Sequence, residues 1–409
     1  MPYPHAGAAK KGAFFMGFPQ RKAAIVGVYN TRQAKMIEGS SWTLALEAIQ
    51  GALYDAGLKH SDIDGLSSMM YDASLTAQQM WVEQLGGRPM TYTSHGIAGA
   101  LVTKAAAAIA AGLTNVMCIY FGNAGMRAGP SKQRAAKEQV PVVPRAPRVP
   151  DWDFNIHGAY MSAWYALWTR RYMDQFDAPY ENLAEYPVIA RYHATLNPAS
   201  IMGERGEITV QDVIDSPMIS SPLHRLDCSL DNDGGYAILV ASAEVAKNCR
   251  KDPVWVLGGG EGIYTDFYMS FTDDWINDNG QSVRKASDIA FAGAGVTRDD
   301  IDVAAMYDCF PVTMARNIEE MGFCKVGEGH EYIKEGHLKL GGKLPTNTDG
   351  GLLSHSHCGN PSGMHVVEVV KQLRGECDAR QVADAKIGAV LSQGYAVHGV
   401  AGVAILGKD

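Results

Sequence analysis

The sequence has no run of about eighteen apolar residues, the length a helix needs to cross a bilayer, so no membrane span is expected. It has no basic excess either. Lys and Arg number 36 against 44 Asp and Glu, giving a net charge of −8, whereas a nucleic-acid binder would carry a basic face. Cysteine is sparse: seven residues, odd in number, scattered and without a CxxC pair. They make neither a disulfide framework nor a structural zinc site, and the expected setting is a reducing cytoplasm. The first 21 residues lack the long apolar core and small-residue cleavage site of a secretory leader, and are expected to form an N-terminal tail.

What is present is ordinary for a large globular enzyme. The 409 residues are 46% hydrophobic and 20% charged, enough to bury one large core or two. KAAIVGVY (22–29) has the continuous apolar character expected of a buried parallel strand. After it comes SSWTLALEAIQGALYDAGLKHSDIDGL, a helix capped by Ser40 or Ser41 and stopped at Gly57.

The same phrase returns as SVRKASDIAFAGAGVTRDDIDVAAMYD (282–308). Ala56-Gly57 becomes Ala294-Gly295, and Asp62-Ile63-Asp64 becomes Asp300-Ile301-Asp302, the same distance along the chain. A constant offset points to an internal duplication. SHGIAGALVTKAAAAIAAG (94–112) and CGNPSGMHVVEVVKQLRGE (358–376) form a second pair, each a glycine-containing loop leading into an apolar helix. Related by a pseudo-twofold, the two helix N-termini would offer unpaired N–H groups to one pocket.

The region 125–225 differs from its flanks. Residues 130–150 are proline-rich and basic, with Lys132, Arg134, Lys137, Arg145 and Arg148 against Glu138 alone. They read as a solvated loop or as a clamp for a polyanionic, phosphorylated ligand. Tyr160, Trp164, Trp168 and Tyr172 follow at i, i+4 spacing, an aromatic stripe that suits a core face or the wall of an apolar pocket.

Several words are more specific: RLDCSLDNDGGYAILVASAEVAK (225–247), YDCFPVT (307–313), MGFCKVGEG (321–329), LPTNTDGGLLS (344–354) and QLRGE (372–376). Together they resemble the thiolase superfamily, in its sterol-carrier and lipid-transfer-protein-type branch, from about Lys22 to the end. The resemblance implies an α/β thiolase fold, with duplicated βαβ halves in an αβαβα five-layer arrangement, two five-stranded mixed sheets and an inserted loop region. It places the N-terminal half at 22–124 and 226–250, the loop region at 125–225 and the C-terminal half at 251–409. It also implies a homodimer acting on acyl-CoA, with coenzyme A as part of the substrate and no tightly bound cofactor.

The family's catalytic positions carry over unevenly. Active thiolases hold a nucleophilic cysteine seventeen residues before the glycine that ends the following helix. Counting back from Gly112 reaches His95, with Ser94 the nearest hydroxyl. His357 falls on the family's catalytic histidine, Cys358 on its proline, and Tyr307 on the Asn or His of its second motif. The position of the second cysteine lies in LSQGYAVHGVAG, where Ser392, Gly394 and Tyr395 stand, with His398 behind.

The loop SHSHCGN therefore has three readings. A metal site needs three or four converging ligands, and His355, His357 and Cys358 are crowded along one loop. A Cys/His nucleophilic pair needs thiolate and imidazole side by side, whereas adjacent residues splay their side chains; Cys309 is the other candidate. In the third reading His357 works without a nucleophile, donating to a developing oxyanion or acting as a base. Retro-aldol cleavage of a β-hydroxyacyl-CoA needs this last arrangement and no acyl-enzyme.

The pattern resembles the steroid side-chain aldolases of this superfamily. They lack the thiolase cysteines, use pocket tyrosines and bind a small partner with a DUF35-type OB domain. That branch carries a tyrosine where this chain keeps His357. The resemblance implies a carbon–carbon lyase with Tyr307, His357, His95 and Tyr395 in the catalytic pocket. Gly394 would shape it or supply a backbone donor, and Lys132, Arg134 and Arg145 would meet the coenzyme A phosphates. The alternatives are an acyltransferase using Ser94 or Cys358, and a non-catalytic acyl-CoA-binding subunit.

Overall fold

The structure, a computed structural model, describes residues 17–68, 75–87, 89–124, 161–263, 281–359, 361–394 and 399–408. The first half runs β1 (Ala23–Asn30), α1 (Ser41–Ala56), β2 (Gly65–Ser68), α2 (Leu75–Gln84), β3 (Tyr92–His95), α3 (Ala98–Ala110) and β4 (Val116–Asn123). The middle holds α4 (Met161–Phe176), α5 (Tyr180–Thr195), α6 (Val210–Asp215) and a small hairpin, β5 (Met218–Ser220) and β6 (Leu223–His224). Then come β7 (Gly234–Ser242), α7 (Ala243–Ala246), β8 (Val254–Ile263), α8 (Gln281–Ala294), β9 (Val303–Met306), α9 (Pro311–Glu320) and α10 (Gly329–Lys334). A π-turn (Gly351–His355), α11 (Ser362–Arg374), β10 (Ile387–Gly394) and β11 (Val400–Gly407) close the chain.

Strands β3-β2-β4-β7-β1 form one half-sheet and β8-β11-β10-β9 the other, in mirrored order. Two residue pairs between β1 and β8, Ala24 with Trp255 and Ile25 with Val254, join them into one nine-stranded sheet among the described residues. The expected fifth strand of the second half is reduced to a single parallel bridge, Ala304 with Thr346. Strand β1 is antiparallel to both its neighbours rather than parallel. Its continuous apolar run reports burial on both faces, which does not fix direction.

Side chains alternate across each strand, so each half-sheet faces two different cores. Ala24 and Val26 pack with α1 on the outer face of the first half-sheet, in a cluster with Leu66, Cys118 and Tyr120. Ile25, with Ile119, Val303, Ala305 and Val390, faces α3 and α11 between the half-sheets. Ala304, Met306 and Leu391 face α4, α5, α8 and α9 beyond the second half-sheet. These three clusters fill the gaps of a five-layer αβαβα thiolase fold. Trp164, Trp168 and Tyr172 belong to the last of them, so the described part of the aromatic stripe is core; Tyr160 lies outside the described residues.

The repeated Asp-Ile-Asp has one structural cause in both halves. Asp62 accepts from the Lys59 N–H and Asp300 from the Thr297 N–H, each closing a 3₁₀ turn. Asp64 then accepts from the Asn115 and Val116 amides, and Asp302 from those of Lys386 and Ile387. Each carboxylate thus pins the start of the parallel strand beside its own, β4 beside β2 and β10 beside β9. Between the two aspartates Ile63 and Ile301 are buried. Gly57 and Gly295 end α1 and α8 at φ 74° and 68°, where a side chain would be strained.

Residues 17–21, read as part of a tail, dock instead. Gln20 donates to the carbonyls of Gly293 and Ala294 at the end of α8, and Phe18 packs against the central cluster. No helix among the described residues is long and apolar enough to cross a membrane.

Replacing Asp302 by Ala leaves two strand-end amides without their acceptor. The expected loss is about 1–3 kcal/mol of stability, read as a lower denaturant midpoint with unchanged slope.

Candidate active site

Tyr307 follows the last residue of β9. Its N–H donates to the Leu391 carbonyl of β10 at 3.1 Å, and its own carbonyl accepts from Asn317 Nδ2 of α9 at 2.7 Å. Phe310 caps α9, and Pro311, which needs no N–H partner, starts it. The half-buried phenol is thereby held at the end of the strand.

His357 is held by a chain of side chains from distant parts of the sequence. Its N–H donates to Asn232 Oδ1 at 2.8 Å. Asn232 Nδ2 donates to Ser356 Oγ at 2.8 Å, and Ser356 Oγ donates to Gln33 Oε1 at 2.8 Å. The loop is set up by the π-turn, whose Gly350 and Gly351 both have positive φ, 107° and 57°. These supports bring the Tyr307 Oη and His357 Nε2 to 3.4 Å, with ring centroids 6.2 Å apart at 66°. Burial pushes the His357 imidazole below its ordinary value near 6.5, so it is neutral at pH 7 and one ring nitrogen is free of a proton.

Two buried carboxylates lie behind the pair. Asp308 accepts from Tyr186 Oη at 2.6 Å and from the Leu352 N–H at 3.1 Å. Asp349 is 2.7 Å from His355 Nδ1. Burial alone would raise the Asp349 carboxyl, but His355, His365 and the Gly351 N–H more than reverse this and hold it well below the usual range. His355 is therefore the partner of Asp349 through Nδ1. Among the described residues no cluster of three or more His, Cys, Asp or Glu is placed to hold a metal.

The cysteines are poor nucleophiles as placed. Burial pushes the thiols of Cys228, Cys309 and Cys358 up to about 12, and those of Cys118, Cys324 and Cys377 higher still; Cys249 is raised as well. A thiolate is what attacks, and none is present at neutral pH. Cys358 is fully buried, with its Sγ against the Met364 sulfur rather than the His357 ring. The adjacent pair in the sequence is not a pair in space.

Of the remaining positions, several lie beyond the described residues. His95 stands at the exposed end of edge strand β3, where its carbonyl accepts from Lys104 Nζ at 3.3 Å. The Ser94 hydroxyl pairs with that of Ser67 at 2.5 Å. Gly394 abuts Ile97, the cap of α3: a Cβ on the glycine would lie 3.1 Å from the Ile97 side chain. Ser392 Oγ accepts from the Gly99 N–H in the first turn of α3. The end of β10 and the start of α3 therefore adjoin. Tyr395, His398, Lys132, Arg134, Lys137, Arg145 and Arg148 lie outside the described residues.

Asn232, Gln33, Asp308 and His365 were not singled out by the sequence. Their only signal is position: Asn232 in LDNDGG and Asp308 in YDCF lie inside the words that carry the family resemblance. On this geometry Cys358→Ala keeps turnover within about threefold of the parent, whereas a catalytic thiol would cost about 10³-fold or more on removal.

Comparisons with known proteins agree with the fold. Residues 268–408 match the family "Thiolase C-terminal domain-like". A steroid side-chain-cleaving aldolase of Thermomonospora curvata is 31% identical over 360 residues, 86% of this chain and 90% of the relative. A 17-hydroxy-3-oxo-4-pregnene-20-carboxyl-CoA lyase of Mycobacterium tuberculosis is 32% identical, covering 87% of this chain and 92% of the relative. The solved structure titled "Ltp2-ChsH2(DUF35) aldolase" superposes with a TM-score of 0.79 at 30% identity, over 95% of this chain and 98% of that one. The chain belongs to the thiolase superfamily, and within it to the aldolase-type carbon–carbon lyases.

Proposed function

We propose that the protein cleaves a bulky, steroidal β-hydroxyacyl-CoA by a retro-aldol step, giving a ketone or aldehyde and a shortened acyl-CoA. One observation carries this reading: a phenol and a neutral imidazole face each other, while the position of the family's nucleophilic cysteine holds His95. A bond that breaks toward a thioester enolate needs a proton acceptor and charge stabilisation but no covalent capture.

The steps balance on these groups. Tyr307 Oη takes the proton of the β-hydroxyl while passing its own to His357 Nε2. The Cα–Cβ electron pair moves into the thioester as an enolate, and the β-carbon leaves as the carbonyl of the first product. The proton held on His357 returns to Cα, releasing the shortened acyl-CoA. His95 and the Gly394-Tyr395 loop are proposed to line the thioester end, with the α3 N-terminus beside them. The basic segment carrying Lys132, Arg134 and Arg145 is proposed to meet the phosphates of coenzyme A. The steroidal class rests on the names of the two relatives. From the superposed structure, whose name includes a DUF35 component, and from the family resemblance, we propose a homodimer joined by a small DUF35-type OB-domain partner as a heterotetramer.

The protein, with that partner, is to be incubated with a branched β-hydroxyacyl-CoA and no free coenzyme A, and the products weighed by mass spectrometry. Equal amounts of carbonyl product and shortened acyl-CoA are expected. Turnover that begins only on adding free coenzyme A would instead mean thiolysis.

Tyr307→Phe is expected to lower kcat by about 10²–10⁴-fold with unchanged unfolding. The acid limb of kcat/KM should follow His357. A depressed imidazole stays neutral until the pH falls below 6.5, so activity persists to that point and is lost as pH falls through the folded-state value. An acid limb at or above 6.5 that persists in His357→Gln would remove His357 from the proton path.

A further inference from the structure

His365, in the first turn of α11, is 1% exposed, and neither of its ring nitrogens has a hydrogen-bond partner among the described residues. A buried imidazole without partners costs folding free energy and calls for another reason to be there. Its Nε2 lies 3.7 Å from Asp308 Oδ1. Asp308 is fully buried and next in sequence to Tyr307, whose phenol meets His357. The carboxylate's other partners, Tyr186 Oη and the Leu352 N–H, are neutral donors. Neither brings a positive charge, and the His365 imidazole is the ionisable base beside the carboxyl group.

We propose that Asp308 and His365 form a buried charge pair that tunes protonation of His357, with His365 acting as a positioning residue through Asp308. With His365 neutral, the Asp308 carboxylate favours an imidazolium at His357 and so eases the transfer from Tyr307. With His365 protonated, the carboxylate is offset and its help is withdrawn. The device rests on the proton path proposed above.

The pair shares its influence on His357 with Asp231, whose charge effect is the larger. Tyr307 faces His357 from the end of β9, and Asp231 acts on it from the segment that carries Asn232. Asp308 and His365 act on it from the β9–α9 loop and α11. The other acidic groups around His365 are already engaged. Asp349 is bound by His355, and Glu368, one turn along α11, is held by Arg380 at 3.0 Å and by the Thr348 hydroxyl.

The test follows His357 directly, so that it stands or falls apart from turnover. The protein is labelled with [¹³Cε1]-histidine, and the His357 signal is assigned by its loss in His357→Gln. Its titration is then compared in the parent, His365→Gln, Asp308→Asn and the double variant. His365→Gln should raise the His357 midpoint by about half a pH unit or more, and Asp308→Asn should lower it. In the double variant the His365→Gln effect should vanish, because the charge it acts through is gone. Kinetics run in parallel should show the acid limb of kcat/KM moving with each midpoint, and kcat at pH 8.5 within a few-fold for His365→Gln. If His365→Gln does not fold, His365→Asn tests the same point. Midpoints unmoved within 0.2 unit, or moved in the same direction by both single changes, overturn the proposal. Midpoints that move as stated without any shift in the acid limb uphold the charge pair and discard the proton path through His357.

Discussion

Everything in this chain is arranged around the burial of two helices. Helices α3 and α11 lie between the half-sheets, and α11 from Ser362 to Val370 is buried on every side. AGALVTKAAAAIA is apolar nearly all round, as such enclosure demands, whereas α11 sets the buried His365 and Glu368 among its valines. The start of α3 adjoins the end of β10, and His357 stands in the loop that leads into α11. The hydrophobic centre thus decides where the chemistry is, and the two half-sheets need only two residue pairs at their seam.

The parts of the fold that repeat locally were legible. The Asp-Ile-Asp phrases, the glycine stops and the paired glycine-to-helix loops are short-range devices, and each does in one half what it does in the other. The family words carried the five-layer architecture and placed Tyr307 and His357 opposite one another. The apolar run of β1 spoke only of burial and was misleading about direction. The aromatic stripe at Trp164, Trp168 and Tyr172 could be core or pocket wall on spacing alone, and the docking of Gln20 on α8 gave no signal.

What could not be seen was the support of the site. His357 depends on Asn232, and Ser356 depends on Gln33, through single hydrogen bonds between residues far apart in the chain. No periodicity records such a bond. His365 was equally hidden: in sequence it is one polar residue in an apolar helix, easily taken for a satisfied core histidine. The cysteines show the opposite case. They drew attention by chemistry, and burial raises every one of these thiols above its ordinary value. A proton relay that needs no ionised thiol can operate in this dry interior.

The bond between Ser356 and Gln33 has a consequence for synthesis. It spans 323 residues, and β7 inserts between β1 and β4 only after residue 242 exists. A ribosome-bound chain that has released its whole first half therefore still lacks the partners that hold His357. Long-range pairings of this kind form late, because the closure entropy precedes the reward. The support of His357 therefore closes only after residues near the far end of the described fold have been made.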